Sequence, residues 1–306
     1  MDPTARAALF TAALVAVVGL ARPRPASVLE DHGVHPARFW AEKASDTARY
    51  DVVLAGDSRV FRGLAPAVVG DELGGARVTN AGFSSVCLCG PYLEHAIGRL
   101  EPSSARRTLV LGVTPHALTA HAERDNGYLA EARRTRSERL ERVWLAPALD
   151  FVAPIAPADL LRAARREPVR GSRYVQRFEP DGWVASALLP PEPDRALGEY
   201  RRVMTGSKVE PRIVAELSGR VRALVGDGVR VVALRPPASP ALRRLEEDLG
   251  AFDEASVRAD LERAGARWLP LDPDRYPSYD GSHLGEDSAR ALSRDLGREL
   301  ARTPPR

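Results

Sequence analysis

Short apolar runs alternate with amphipathic stretches along most of this chain. Five short runs predict strands, and two of them, Tyr50–Ala55 and Thr108–Val113, are apolar at nearly every position, which is typical of strands buried on both faces of a sheet. Between them, apolar residues recur three and four positions apart, the spacing of a helix with one buried face. The predicted strands are Tyr50–Ala55, Ala76–Asn80, Thr108–Val113, Val229–Leu234 and Ala266–Leu271.

The predicted helices are bounded by residues that favour helix ends. Pro66 stands at the start of one helix and Gly74-Gly75 at its end, and Gly226 and Gly228 close another. Strands that alternate with helices predict an α/β fold, with a mostly parallel five-stranded sheet covered by helices on both sides. The predicted helices cover residues 37–47, 67–73, 91–100, 211–225, 239–249, 252–264 and 285–300.

The regular alternation is interrupted between about residues 115 and 208. Arg-rich helical segments, Leu129–Trp144 and Pro157–Arg166, are separated there by Pro-rich and aromatic pieces. The stretch has no internal period, so it is interpreted as a long insertion or lid between core elements. The predicted organisation is an N-terminal address (residues 1–24), a linker with a short helix (25–48) and one domain (49–306) that carries the insertion.

The N-terminus carries an uncharged, mostly apolar stretch of 14 residues, Ala7–Leu20, between Arg6 and Arg22. It is shorter than the ~20 residues that span a bilayer comfortably, but it fits the ~7–15-residue core of a secretory signal. Gly19-Leu-Ala21 offers small residues for cleavage. An uncleaved anchor is the alternative, whereas an ordinary buried helix is disfavoured because the stretch has no polar face. The expected location is extracytoplasmic: secreted, periplasmic or membrane-anchored.

The composition indicates a globular protein without a nucleic-acid surface. Of 306 residues, 44% are hydrophobic and 28% charged, which allows a sizeable core. The net charge is only +3, and the Arg residues are interleaved with Asp and Glu, so no basic stripe indicates a nucleic-acid partner. No Gly-rich phosphate loop occurs, and no cofactor is expected. No metal site is expected either, because the sequence spacing of the histidines does not match that of metal ligands. These histidines are His32, His35, His95 and His121.

The two cysteines of the chain, Cys87 and Cys89, are separated by a single residue. A disulfide between cysteines so close in sequence would be strained. The sequence therefore predicts two small buried apolar side chains rather than a disulfide.

Two short polar motifs follow the first and last predicted strands. Gly56-Asp57-Ser58 ends the first strand, and Asp280-Gly-Ser-His283 precedes the last helix. Ligands of parallel sheets bind beyond the carboxyl ends of the strands. A serine becomes a good nucleophile when a histidine takes its proton and a carboxylate orients that histidine. Ser58, His283 and Asp280 fit these roles as nucleophile, base and orienting acid; the alternative is a turn serine with a surface histidine.

On these motifs the chain resembles the SGNH or GDSL hydrolase-like superfamily, and in particular its exported, membrane-associated branch. The resemblance covers about residues 50–113 and 209–300, and it implies a flavodoxin-like three-layer α/β/α sandwich. Gly56-Asp57-Ser58 matches the block that supplies the nucleophile, and Asp280-Gly-Ser-His283 matches the block that supplies acid and base. Asn80-Ala-Gly82 resembles the second block, so the resemblance implies that the N–H groups of Gly82 and Ser58 hold the oxyanion.

The third block of the family departs from its usual pattern here. Gly112 is retained, but the asparagine whose amide would be a further oxyanion donor is missing from Gly112-Val-Thr-Pro-His116. Losing one such donor costs on the order of 10²–10³ in rate. Thr114, His116 or a residue of the insertion replaces it, or the activity is weak or specialised.

Four further residues are weaker candidates for contact with substrate. Arg59 adjoins the nucleophile and either binds an anionic substrate or fills a structural pairing role. His116 is either a polar loop residue or a catalytic one, and Trp183 either stacks on a sugar ring or packs the lid. Asn80 belongs to the second block.

The expected function is that of an exported serine-dependent esterase or O-acyltransferase. Its substrates would be acyl esters, acetyl esters foremost, of small molecules or of a cell-envelope polysaccharide. The membrane is a partner only if the N-terminal segment stays uncleaved. The alternative is a catalytically impaired module of the same fold that binds a glycan or a partner enzyme.

Overall fold

The computed structural model describes residues 2–21, 33–152 and 173–302. Its strands are β1 (Val52–Gly56), β2 (Val78–Asn80), β3 (Thr108–Gly112), β4 (Arg173–Phe178), β5 (Val184–Leu189), β6 (Arg230–Leu234) and β7 (Arg267–Trp268). Five of them form a parallel sheet in the order β2-β1-β3-β6-β7, and β4 and β5 form an antiparallel hairpin.

Helices connect the strands of the sheet, and further short helices lie in the described part of the insertion. They are α1 (Pro3–Ala21), α2 (Pro36–Ser45), α3 (Ser58–Gly63), α4 (Pro66–Glu72), α5 (Gly90–Gly98), α6 (Ala120–Arg124), α7 (Gly127–Ala132), α8 (Arg136–Leu140), α9 (Ala146–Val152), α10 (Leu197–Thr205), α11 (Pro211–Gly226), α12 (Pro240–Gly250), α13 (Glu254–Arg263) and α14 (Glu286–Arg302). A π-helical turn, Glu141–Leu145, joins α8 to α9.

Alternate residues of the central strand β1 enter two different hydrophobic clusters. Val53 and Ala55 pack in the cluster that contains apolar residues of α5, α11 and α13. Val52 and Leu54 pack in the cluster that contains apolar residues of α4 and α14. The sheet is therefore covered on both faces, which explains why β1 and β3 are apolar without alternation. The α/β prediction is confirmed, and the strand order is consistent with a flavodoxin-like sandwich.

The strand order places a crevice between β1 and β3. From β1 the chain passes first to β2 on one side and then to β3 on the other, so connections leave this point in opposite directions. Such switch points open a crevice at the carboxyl ends of the strands. Gly56 and Gly112 are paired there, at the last position of each strand.

The insertion differs from its prediction in two ways. The helix expected at Leu129–Trp144 is broken between α7 and α8, because Thr135 and Glu138 form a capping box that starts a new helix. The expected helix Pro157–Arg166 lies outside the described residues. The β4–β5 hairpin was not predicted, although Pro180-Asp-Gly182 at its tip is a turn signal.

The cysteine prediction is wrong, since Cys87 and Cys89 are joined by a disulfide bond. Both residues are buried, as expected. The loop after β2 brings their Cα atoms to 5.1 Å, a separation within the ~4.4–6.8 Å that disulfides span.

The N-terminal apolar stretch lies within helix α1. Among the described residues no helix is long and apolar enough to cross a membrane. The secretory signal stays a prediction, and residues 22–32, which hold the end of the expected address and the start of the expected linker, lie outside the described part of the chain.

Candidate active site

Ser58 lies at a sharp corner between β1 and α3. Gly56 adopts a positive φ of 154°, and a Cβ there would lie 2.4 Å from Cγ2 of Val60. Asp57 caps α3 by accepting a hydrogen bond from the N–H of Arg59 at 3.0 Å. Gly112, on the neighbouring strand, faces the same methyl group, since a Cβ there would lie 2.1 Å from it. Both glycines therefore allow α3 to start directly above the ends of β1 and β3.

Ser58, His283 and Asp280 form a continuous hydrogen-bonded chain. Nε2 of His283 lies 2.9 Å from Oγ of Ser58, and its Nδ1 lies 2.8 Å from Oδ2 of Asp280. The donor that fits this geometry is Nδ1–H, which leaves Nε2 free to accept the serine proton. Ser58 and His283 are 225 positions apart in the sequence. They meet because the segments that carry them both follow strands whose carboxyl ends lie at the same edge of the sheet.

Asp280 is fully buried and accepts hydrogen bonds on both oxygens. Oδ1 accepts from the N–H groups of Ser282 and His283 at 2.9 and 2.7 Å, and Oδ2 accepts from the hydroxyl of Tyr174 at 3.0 Å as well as from the His283 ring. Burial alone would raise the pKa of Asp280, but the bonds from the ring and backbone of His283 outweigh it and hold that pKa far below its usual value. The carboxylate therefore stays ionised and fixes the ring.

The expected oxyanion donors are only partly free. The N–H of Gly82 donates to Oδ1 of Asn80 at 2.9 Å, and the hydroxyl of Thr114 donates to Oδ2 of Asp57. Both groups therefore already have an acceptor inside the protein, and the oxyanion roles expected of Gly82 and Thr114 stay predictions. The N–H of Ser58 has no hydrogen-bond partner within the described residues.

The structure places three of the weaker candidates away from any substrate. Arg59 is buried and forms an ion pair with Glu246, which is the structural pairing role. Asn80 is fully buried and uses its amide N–H groups to hold the carbonyls of Val60 and Leu64 at 2.8 and 2.9 Å. The buried indole of Trp183 donates to the carbonyl of Arg62 at 2.9 Å, so it packs the hairpin against the core rather than offering a face to a sugar.

A cavity of about 500 Å³ opens over the triad, and the insertion forms one of its walls. Tyr174 of β4 reaches this cavity from the hairpin. Residues between Arg195 and Val203, which include the first two turns of α10, complete the wall. No sequence signal predicted these wall residues, since they come from the part of the chain without periodicity. The residues that line the cavity are Asp57, Ser58, Ser85, His116, Tyr174, Arg195, Ala196, Gly198, Glu199, Tyr200, Arg202, Val203, Asp280 and His283.

His116 is the one weaker candidate that lines this cavity. Only 7% of the surface of His116 is exposed to solvent, although the residue lines the cavity. Neither ring nitrogen has a hydrogen-bond partner among the described residues. Burial lowers the pKa of His116, with the charge of Asp57 acting in the opposite direction. The ring is therefore neutral near pH 7 and carries one N–H.

The described residues contain no group of three or more His, Cys, Asp or Glu side chains placed to hold a metal ion. Comparison with known proteins adds no relative, because no family model, no curated protein and no solved structure matches the chain.

Proposed function

We propose that this chain is a serine-dependent esterase or O-acyltransferase of the SGNH type. The observation that carries the proposal is the hydrogen-bonded chain from Ser58 through His283 to Asp280 at the floor of a cavity. The resemblance of Gly56-Asp57-Ser58 and Asp280–His283 to two blocks of that superfamily supports it. The strand order, with its switch point beside β1, also supports a site at the carboxyl ends of the strands.

The reaction would proceed through an acyl-enzyme. Oγ of Ser58 attacks the ester carbonyl while Nε2 of His283 takes its proton, and the carbonyl oxygen becomes an oxyanion beside the N–H of Ser58. The C–O bond to the leaving alcohol then breaks, and His283 returns the proton to that alcohol. Water, or a hydroxyl group of an acceptor, attacks the acyl carbon in the second half and restores Ser58.

The substrates proposed are acyl esters, acetyl esters foremost, of small molecules or of a cell-envelope polysaccharide. The cavity of about 500 Å³ is larger than an acetyl group needs, so it has room for part of the alcohol or acceptor. The apolar stretch Ala7–Leu20 supports an extracytoplasmic location, where such polysaccharides lie. Sequencing the N-terminus of the protein isolated from its host distinguishes cleavage after Ala21 from an intact anchor.

A binding module without catalytic activity is the second candidate. It is favoured by one observation, the commitment of the Gly82 N–H and the Thr114 hydroxyl to neighbouring side chains. A triad without a sufficient oxyanion hole would bind an ester or a glycan and turn it over slowly.

Labelling with a fluorophosphonate probe tests the proposal and separates the two candidates. The folded protein is expected to lose fluoride from the probe and to carry a phosphonyl adduct on Ser58, identified by mass spectrometry of its peptides. Heat-unfolded protein and Ser58→Ala should stay unlabelled, because the serine hydroxyl is reactive only beside His283. An unlabelled folded wild type would leave the binding module as the function.

The pH dependence of ester hydrolysis is a second expected result. His283 must be neutral to accept the Ser58 proton, and burial lowers its pKa below the usual 6.5, with the charge of Arg62 acting in the same direction. Activity, measured as kcat/KM, should therefore stay high down to a pH below 6.5 and fall only under it. Arg62→Gln should move this acid limb to higher pH, whereas Arg106→Gln, a change at an exposed site, should not. A wild-type limb above 6.5 would contradict the assignment.

A further inference from the structure

The oxyanion hole around Ser58 is one donor or more short of what acyl transfer needs. The Ser58 N–H is free, but the groups that the resemblance offers beside it, Gly82 N–H and the Thr114 hydroxyl, already donate elsewhere. Removing one donor from such a hole typically costs on the order of 10²–10³ in rate. An active enzyme with this arrangement needs a donor from another residue.

His116 has an unused donor in the same cavity. A buried polar group without a partner costs about 1–3 kcal/mol, so native structures keep few of them. Both ring nitrogens of His116 are in this state among the described residues. The ring centroid of His121 lies 5.8 Å from that of His116, and the two rings form no hydrogen bond.

His116 follows closely after the strand that neighbours β1, and it lines the same cavity as Ser58. β3 pairs directly with β1, and the loop after β3 is tied to the nucleophile corner by the bond from Thr114 to Asp57. His116 follows two residues later, in the 3-10 turn His116–Leu118, whose Leu118 N–H bonds the Pro115 carbonyl at 3.1 Å. These hydrogen bonds fix the backbone that carries His116 beside the corner of Ser58, and donors that are positioned in advance stabilise an oxyanion best.

We propose that the ring N–H of neutral His116 donates to the oxyanion that forms when Ser58 attacks an ester. In this step the Ser58 Oγ–carbon bond forms, the carbonyl π bond becomes the lone pair of the oxyanion, and the serine proton moves to His283. His116 gives a hydrogen bond and keeps its proton throughout. The role rests on the proposed function, since it requires Ser58 to be the nucleophile.

Two replacements of His116 test the role, with His121→Ala as the matched control. His116→Leu keeps a similar volume without any N–H, and His116→Gln keeps an amide N–H. His116→Leu should lower kcat/KM for an acetyl ester by about 10²–10³ with little change in KM, and His116→Gln should recover part of that loss. His121→Ala should behave as wild type.

Inhibition by an alkyl trifluoromethyl ketone gives a readout that a packing role would not move. Ser58 adds to the ketone and creates an oxyanion, so His116→Leu should weaken inhibition by the same factor as it lowers kcat/KM. The unfolding midpoint should be no lower than that of the wild type, because no hydrogen bond is lost and a buried polar group without a partner is removed. If the wild type carries a phosphonyl adduct on Ser58 while His116→Leu matches it in kcat and inhibition, the His116 role is overturned alone. If Ser58 is not labelled, both proposals are overturned.

Discussion

Ser58→Ala and His283→Ala are each expected to lower kcat for an acetyl ester by on the order of 10⁵–10⁶, and the double variant by no more than either alone. The reason is that the two side chains act as one unit: Oγ of Ser58 attacks only as Nε2 of His283, 2.9 Å away, takes its proton. Once either is missing, the other has no proton to pass or to receive. Hydrolysis of a chromogenic acetyl ester measures all three rates.

The controls for this pair are neighbours of the same residue type. Ser84→Ala removes an exposed hydroxyl from the loop after β2, and His121→Ala removes an exposed ring near His116. Both should keep wild-type rates. Losses that multiply in the double variant of Ser58 and His283 would mean that the two residues contribute independently, and the triad assignment would then be wrong.

The sheet could be predicted because its strands are buried on both faces, which leaves a pattern in the sequence itself. Four of the five predicted strands agree with the observed ones to within a few residues. The last strand was predicted as Ala266–Leu271, but the observed strand β7 spans only Arg267–Trp268. It lies at the edge of the sheet, so it pairs on one side only. The insertion could not be predicted in the same way, since its helices are mostly five to seven residues long and give no lasting period.

The closeness of Ser58, His283 and Asp280 could be predicted because both motifs follow predicted strands, and the carboxyl ends of parallel strands share an edge. The hydrogen-bond partners of the candidate oxyanion donors could not be predicted, because they depend on contacts that sequence spacing does not determine. The hydroxyl of Thr114 donates to the carboxylate of Asp57, 57 positions away. The N–H of Gly82 donates to the side chain of Asn80, only two positions away, in a turn that a resemblance between sequence blocks does not reveal. Tyr174 reaches Asp280 over 106 positions.

The same limit applies to Arg59, whose partner lies 187 positions away. Glu246 is fully buried between the guanidinium groups of Arg59 and Arg235, each of which is about 99% withdrawn from solvent. Arg235 has two further acidic partners, Glu247 and Glu254, both at 2.8 Å. Arg59 has no second carboxylate within ion-pair distance among the described residues, and its other side-chain hydrogen bond is to Oγ of Ser282 at 3.3 Å.

Glu246→Gln is therefore expected to lower the free energy of unfolding by about 3–5 kcal/mol, a large part of the ~5–15 kcal/mol that holds a domain folded. The change leaves the Arg59 charge buried without an opposing charge, directly beside Ser58. Urea unfolding followed by circular dichroism measures the loss. Glu262→Gln is the matched control: it breaks an exposed pair with Arg258 at 3.1 Å and should cost only about 0.3–0.5 kcal/mol. Equal losses in the two variants would show that burial of the Arg59–Glu246 pair adds nothing, and that Arg59 is held at the nucleophile corner by packing rather than by charge.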